Sequence, residues 1–277
     1  MSEHIKSIEV NGVSLSYVTE GTEKESLILV HGGLSDFGTW KAQMDSFSPR
    51  YRVVAYSRRS HYPNPWEEYP PDYMIETERD DLVELIRGLG LKTPIHLVGS
   101  SYGGYVCALV ARDYPELVRS LVLGEPPILA LLFSKPDASN LYADFKTKVE
   151  KHVLPFFQKK QYEEGLRSYM LHVAGRDLDQ LPPEIREVQI RNARTLLAEV
   201  QTAEREPFGE VDAQKIANPI LLLTGENSIP YLRRTALELS KILPNVEFRT
   251  ISRAGHSMHT QNPKEYNDTV LGFLAPH

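Results

Sequence analysis

The stretch Leu97-Val98-Gly99-Ser100-Ser101-Tyr102-Gly103-Gly104 sets a serine between two glycines in a Gly-x-Ser-x-Gly pattern. An apolar run precedes it and the helix-like Tyr105-Val106-Cys107-Ala108-Leu109-Val110-Ala111-Arg112 follows, so the serine falls at a strand-to-helix turn. A turn of that kind lifts its side chain clear of the sheet. It also brings strand and helix too close for side chains, and Gly99 and Gly103 leave the room. Ser101 is therefore the candidate nucleophile. The five-residue pattern recurs by chance; the strand before it and the helix after it give it meaning.

A serine hydroxyl is a weak nucleophile at neutral pH. It needs a base to take its proton and an acid to steady that base. Of nine histidines, His256 in Arg253-Ala254-Gly255-His256-Ser257-Met258-His259 is the best base. It follows the last expected strand, which puts it at the same sheet edge as Ser101, and Gly255 lets the loop turn inward. His259 shares that loop but begins the approach to the final helix. His31 precedes two glycines and is read as shaping its loop. His61 is read as packing or meeting solvent, His96 lies within a strand, His152 and His172 lie in the middle of the chain, and His4 and His277 are terminal.

The elements that must position these residues follow from periodicity. Ile5–Val10 and Val13–Thr19 alternate around Asn11-Gly12, a hairpin signal. Strands are predicted at Leu27–Val30, Arg52–Tyr56, Ile95–Val98, Leu117–Leu123, Pro219–Thr224 and Val246–Ile251. Helices are predicted at Trp40–Phe47, Tyr73–Leu89, Ser101–Tyr114, Tyr231–Leu243 and Pro263–Leu274. Strands alternating with helices argue an α/β fold with a mostly parallel, doubly wound sheet, its first strands antiparallel. Residues 128–212 break the alternation. Tyr142–Phe157, Tyr162–Val173 and Pro183–Val200 look helical, and the segment reads as a helical cap inserted into a core of residues 1–127 and 213–277.

Composition bounds the function. The chain has 277 residues with a formal net charge of -6 and no basic run, which argues against nucleic acid as a partner. Its single cysteine, Cys107, rules out an internal disulfide and fits a reducing compartment. Met1-Ser2-Glu3-His4-Ile5-Lys6 carries no apolar leader and no run reaches about 18 apolar residues, so a cytoplasmic protein without a membrane partner is expected. There is no His-Glu-x-x-His, no cysteine pair and no phosphate-binding glycine loop, so no metal and no cofactor are expected. Oligomeric state leaves no mark in the sequence.

Four motifs stand in one order: Val30-His31-Gly32-Gly33, Gly99-x-Ser101-x-Gly103, Gly225-Glu226 and Gly255-His256. On these the chain resembles the α/β-hydrolase fold over nearly its whole length. The family usually places an aspartate two residues after the Gly-Glu, and Ser228 stands there instead. A serine cannot hold a negative charge against an imidazolium. Some members take the acid from the end of the strand after the nucleophile helix; haloalkane dehalogenases, zearalenone-type lactone hydrolases and certain cofactor-free dioxygenases are such cases. Glu125, in Leu121-Val122-Leu123-Gly124-Glu125-Pro126-Pro127, matches that position. The resemblance thus implies Glu125 as the acid, with Glu226 the alternative. It also implies an oxyanion hole made by the N–H groups of Gly33 and Tyr102.

Dehalogenases and epoxide hydrolases of this family carry an aspartate at the turn. A serine there suits acyl transfer, and hydrolysis of an ester or lactone of a hydrophobic small molecule is expected. The alternatives are cofactor-free oxygenation of a heteroaromatic ring with His256 as base, and a slow-turnover ligand receptor on a hydrolase scaffold. Trp40, Leu129, Leu132, Phe133, Phe156 and Met258 are the expected pocket residues, with Phe157 and Tyr169 as further candidates.

Overall fold

The computed structural model describes residues 5–22, 25–70, 73–133, 135–205 and 208–277; Met1–His4 of the amino-terminal reading lie outside them. The strands are β1 (Lys6–Val10), β2 (Val13–Glu20), β3 (Ser26–Val30), β4 (Arg52–Tyr56), β5 (Ile95–Ser100), β6 (Val118–Gly124), β7 (Ile220–Gly225) and β8 (Val246–Ile251). They form one sheet in the order β1-β2-β4-β3-β5-β6-β7-β8. β2 runs antiparallel to β1 and β4, and every other pairing is parallel. At the hairpin, Asn11 and Gly12 both take positive φ (46° and 78°), the turn whose twist matches that of its strands.

The buried strands sort their residues by parity, since successive side chains leave a strand on opposite faces. Ile28, Val30, Leu97, Leu121, Leu123, Ile220 and Leu222 join one apolar cluster. Leu27, Leu29, Val98, Val122, Leu221 and Leu223 join the other. Near-continuous apolar strands are what a sheet covered on both faces requires. The covering helices follow the strands in sequence: α1 (Lys41–Phe47) after β3, α2 (Ile75–Gly88) after β4, and α3 (Tyr102–Asp113) after β5.

Between β6 and β7 the chain makes α4 (Ser139–Lys148), α5 (Leu154–Gln158), α6 (Tyr162–His172), α7 (Pro183–Arg191), α8 (Leu196–Arg205) and the short α9 (Glu210–Gln214). Two of the helices expected here are broken. The one expected over 142–157 divides at the π-helical turn Val149–Val153, next to Pro155, which has no N–H to offer the previous turn. The one expected over 183–200 divides at Asn192. Its buried amide donates to Val188 O (2.9 Å) and accepts the Tyr62 N–H (2.8 Å), turning the chain through a 3₁₀ segment, Ala193–Thr195. These helices pack on a third apolar cluster that includes Leu129, Leu132, Phe145, Met170 and Leu196. After β7 come α10 (Pro230–Ile242), then α11 (Met258–Gln261) and α12 (Pro263–Leu274) beyond β8.

After β4 the chain crosses over β3 to start β5 on its other side. The ends of β3 and β5 therefore flank the crevice where an open sheet of this kind binds ligands. The loop holding Gly33 leaves one and Ser101 leaves the other.

Close approach here makes a testable contrast between two glycines. A Cβ at Gly103 would lie inside the carbonyl oxygens of Val30 and His31, whereas one at Gly272 in α12 meets nothing within 4 Å. Gly103→Ala is expected to lower unfolding free energy by about 1–3 kcal/mol and Gly272→Ala to raise it by about 0.5–1 kcal/mol, read by denaturant titration. Equal effects would contradict the packing described.

Candidate active site

Ser101 sits between the last residue of β5 and the first of α3 with φ 52° and ψ -125°. That backbone region costs a non-glycine residue on the order of 1–3 kcal/mol and persists only where its surroundings enforce it. Here they do. The Ser101 N–H donates to Gly124 O (2.7 Å), a Cβ at Gly99 would lie 2.6 Å from Gly104 Cα, and one at Gly32 would lie 2.9 Å from Ser101 Cβ. Gly33, Ser101, Tyr102 and His256 line one cavity. As the first residue of α3, Tyr102 has an N–H with no acceptor inside the helix. Ser101 and His256 line the same cavity, with no direct hydrogen bond between hydroxyl and imidazole.

The Glu125 carboxylate is fully buried at the end of β6. One oxygen accepts from Thr224 Oγ1 (2.5 Å) and the Gly225 N–H (3.1 Å). The other accepts from Ser228 Oγ (2.6 Å) and lies 2.7 Å from His256 Nδ1. Burial pushes the carboxyl pKa up, but the hydrogen bonds from His256, Ser228 and Thr224 and the imidazole's charge outweigh it and leave the group below its ordinary value. Ser228, where the family's aspartate usually stands, thus serves the carboxylate that meets the histidine. Glu226 is turned elsewhere and accepts the Arg253 N–H (2.7 Å).

A second buried ionic group underlies the cavity. Arg58, in the loop after β4, has no exposed surface. Its guanidinium donates to His31 O (2.9 Å), Gly32 O (3.2 Å) and Glu78 Oε1 (3.0 Å), and it pairs with Glu199 Oε1. Burial disfavours the charge, and Glu78 and Glu199 more than restore it. For Glu199, burial pushes the carboxyl up and Arg58 and His61 pull it below its ordinary range. His61 Nε2 lies 3.2 Å from both partners. The Arg58 N–H donates to His31 Nε2 (2.9 Å), and burial, then the Arg58 charge, holds His31 well below its usual pKa. His31 is thus a neutral strut of its loop. Nothing local marks Arg58 as more than half of a short basic pair. Glu199 left one trace: it is a carboxylate flanked by Leu196 and Val200 on the inward face of α8.

Of the expected pocket residues, Leu129 lines the cavity. Five others lie outside its lining. Trp40 is buried against His259 and Tyr266 in the second apolar cluster, their ring centroids 4.4 and 6.5 Å away. Met258 is buried in the same cluster. Leu132 fills the third apolar cluster, with Leu129 and Phe145. Phe133 is half exposed and rests on Tyr142. Phe156 lies against Gly165 of α6. Phe157, too, packs on α6 rather than on the cavity, and Tyr169 lines it. Cys107 is buried in α3, where burial raises its thiol pKa out of the reactive range. Among the described residues, no helix is long and apolar enough to cross a membrane.

With this geometry in hand, comparison with known proteins is direct. A family profile described as alpha/beta hydrolase fold matches residues 25–263. Carboxylesterase YbfK of Bacillus subtilis is 25% identical over 259 residues, covering 90% of this chain and 80% of that protein. The crystal structure of carboxylesterase CesB (YbfK) from the same organism superposes with a TM-score of 0.75 at 20% identity, over 100% of this chain and 93% of that one. The sn-1-specific diacylglycerol lipase ABHD11 of Mus musculus is 25% identical over 242 residues, 81% of this chain and 72% of that protein. The chain belongs to the α/β-hydrolase fold family and is a hydrolytic enzyme of that family.

The buried imidazoles carry a pH prediction. Burial takes His259 down to about 3 and His96 down to about 4, and His31 is lowered as well. Below pH 6.5 the unfolded chain binds protons that the folded chain refuses, so stability is full above that pH and is lost as pH falls. Tm is expected to drop steadily from pH 7 to pH 4, and His259→Gln to make the drop shallower. An unchanged slope in that variant would refute the assignment.

Proposed function

We propose that this protein is a serine hydrolase that cleaves a carboxylic ester or lactone of a hydrophobic small molecule through an acyl-enzyme on Ser101. The observation that carries the reading is the 2.7 Å contact between His256 Nδ1 and Glu125 Oε2, at the wall of the cavity that Ser101 lines. With Nδ1 committed to the carboxylate, Nε2 is the imidazole's free basic atom.

Ser101 Oγ attacks the substrate carbonyl carbon while His256 Nε2 takes its proton. The oxyanion settles between the N–H groups of Gly33 and Tyr102. His256 then returns the proton to the leaving alkoxide as the carbon–oxygen bond breaks. A water, deprotonated by the same nitrogen, hydrolyses the acyl-enzyme and frees Ser101. Glu125 stays ionised throughout, because Thr224, Gly225 and Ser228 satisfy it, and so it steadies the imidazolium. No cofactor enters these steps. Residues 128–212 act as the cap: they contribute Leu129, Phe145, Met170 and Val200 to the cavity wall. That apolar lining supports a hydrophobic substrate. Buried Cys107 accords with a cytoplasmic location.

A fluorophosphonate probe is expected to label Ser101, located by peptide mapping. Ser101→Ala is expected to lower kcat on an aryl ester by about 10⁶-fold and Glu125→Gln by about 10⁴-fold, with Glu226→Gln staying close to the parent. An unlabelled Ser101 in folded protein, or turnover with oxygen uptake in Ser101→Ala, would defeat the esterase reading. Equal loss in Glu226→Gln would defeat the choice of acid.

A further inference from the structure

Glu199 is a carboxylate with one oxygen committed and one open. Oε1 meets Arg58 Nη2 and lies 3.2 Å from His61 Nε2. No donor among the described residues reaches Oε2, although the side chain is only 5% exposed and lines the cavity. That oxygen crowds Gly33: it is the nearest atom a Cβ at Gly33 would meet. Oε2 therefore stands against Gly33, the residue whose N–H is assigned to the oxyanion.

That placement is costly unless something answers it. In a side chain only 5% exposed, an oxygen that no protein donor reaches has little water to take the donor's place. A negative oxygen next to a developing oxyanion also repels it. Arg58 offsets part of the charge, but Arg58 also serves Glu78. Two carboxylates thus share one guanidinium in this cluster. A donor arriving with the substrate would satisfy Oε2 and screen it from the oxyanion in one contact. Since Oε2 is the atom nearest a Cβ at Gly33, a donor carried close to the scissile carbonyl is the one placed to meet it.

We infer that Glu199 Oε2 is a recognition site for a hydroxyl or ammonium group carried α or β to the carbonyl on the acyl part of the substrate. This rests on the acyl-transfer reading of the same cavity. It narrows the substrate class from hydrophobic esters in general to hydroxy- or amino-acyl esters, with hydroxy-lactones as the cyclic counterpart. Sites built to hydrogen-bond a substrate group discriminate strongly against analogues that lack it, because the site's own polar atom is then left unpaired.

The test uses equilibrium binding, so that it does not depend on turnover. Ser101→Ala protein is titrated calorimetrically with benzyl butanoate and with its 2- and 3-hydroxy and 2- and 3-amino analogues. At least one donor-bearing ester is expected to bind tenfold or more tightly than benzyl butanoate. That ratio is expected to shrink toward one when Glu199→Gln is added, and the hydroxy and amino arms tell which donor is preferred. Ratios near one for all four analogues in Ser101→Ala overturn the inference, whether or not the Glu199 variant folds. So does a preference that survives unchanged in a folded Glu199→Gln protein. Hydrolysis of benzyl butanoate by the parent enzyme is followed in parallel. Turnover with ratios near one removes this inference and leaves the acyl-transfer reading standing. No turnover of any ester and no labelling of Ser101 remove the acyl-transfer reading itself.

Discussion

Arg58 is a full positive charge with no contact with water, and several parts of the molecule are fixed by the need to satisfy it. Removing such a group from solvent costs several kcal/mol, recovered only when its partners are well placed. Those partners are the carbonyls of His31 and Gly32 after β3, Glu78 on α2, and Glu199 on α8. The Tyr102 ring also lies under the guanidinium, its centroid 4.8 Å away. One side chain thus holds the loop of Gly33, the start of α3 and α8, from the helical segment between β6 and β7, to a common point. Loss of Arg58 would leave the Glu78 and Glu199 carboxylates without their shared cation in a dry place, so the arrangement resists piecemeal change.

Glu125 is the mirror of that arrangement. It is a negative charge, equally hidden, with both oxygens occupied by Thr224, Gly225, Ser228 and His256. Its donors come from the ends of β7 and the loops after β7 and β8, so the imidazole is aimed from the opposite side of the crevice. Two buried ions, each locked by groups from several elements, give the cavity walls that do not rearrange independently. Fixed geometry of this kind is what a site for charge development requires.

The fold was largely legible because it is written in local repeats. Asn11-Gly12 specifies its turn, the apolar runs specify buried strands, and the glycines around Ser101 specify close contact. Glu125 was reachable only through the resemblance: Ser228 stands where the family's usual aspartate would be, and some members carry a carboxylate at the end of the strand that Glu125 follows. What was not legible is instructive. Trp40 and Met258 are apolar and near the right loops, but hydrophobicity does not say which of three apolar clusters a side chain joins. Arg58 and Glu199 are 141 positions apart, and nothing local ties a short basic pair to a glutamate in a distant helix. Asn192 breaks its helix through a bond to Tyr62, again a long-range event.

The hydroxyl of Ser228 also bears on how such a site can vary. β6 and β7 lie side by side, with Gly124 paired to Leu223, so their ends open onto the same small space. A carboxylate can enter that space from either strand. Two cannot enter together and both stay ionised, since like charges at bonding distance force a proton onto one of them. Once Glu125 occupies the space, the neighbouring position is best filled by a small donor. The two addresses for a carboxylate are thus mutually exclusive tenancies of one volume, and a lineage moving from one to the other must vacate the first as it fills the second.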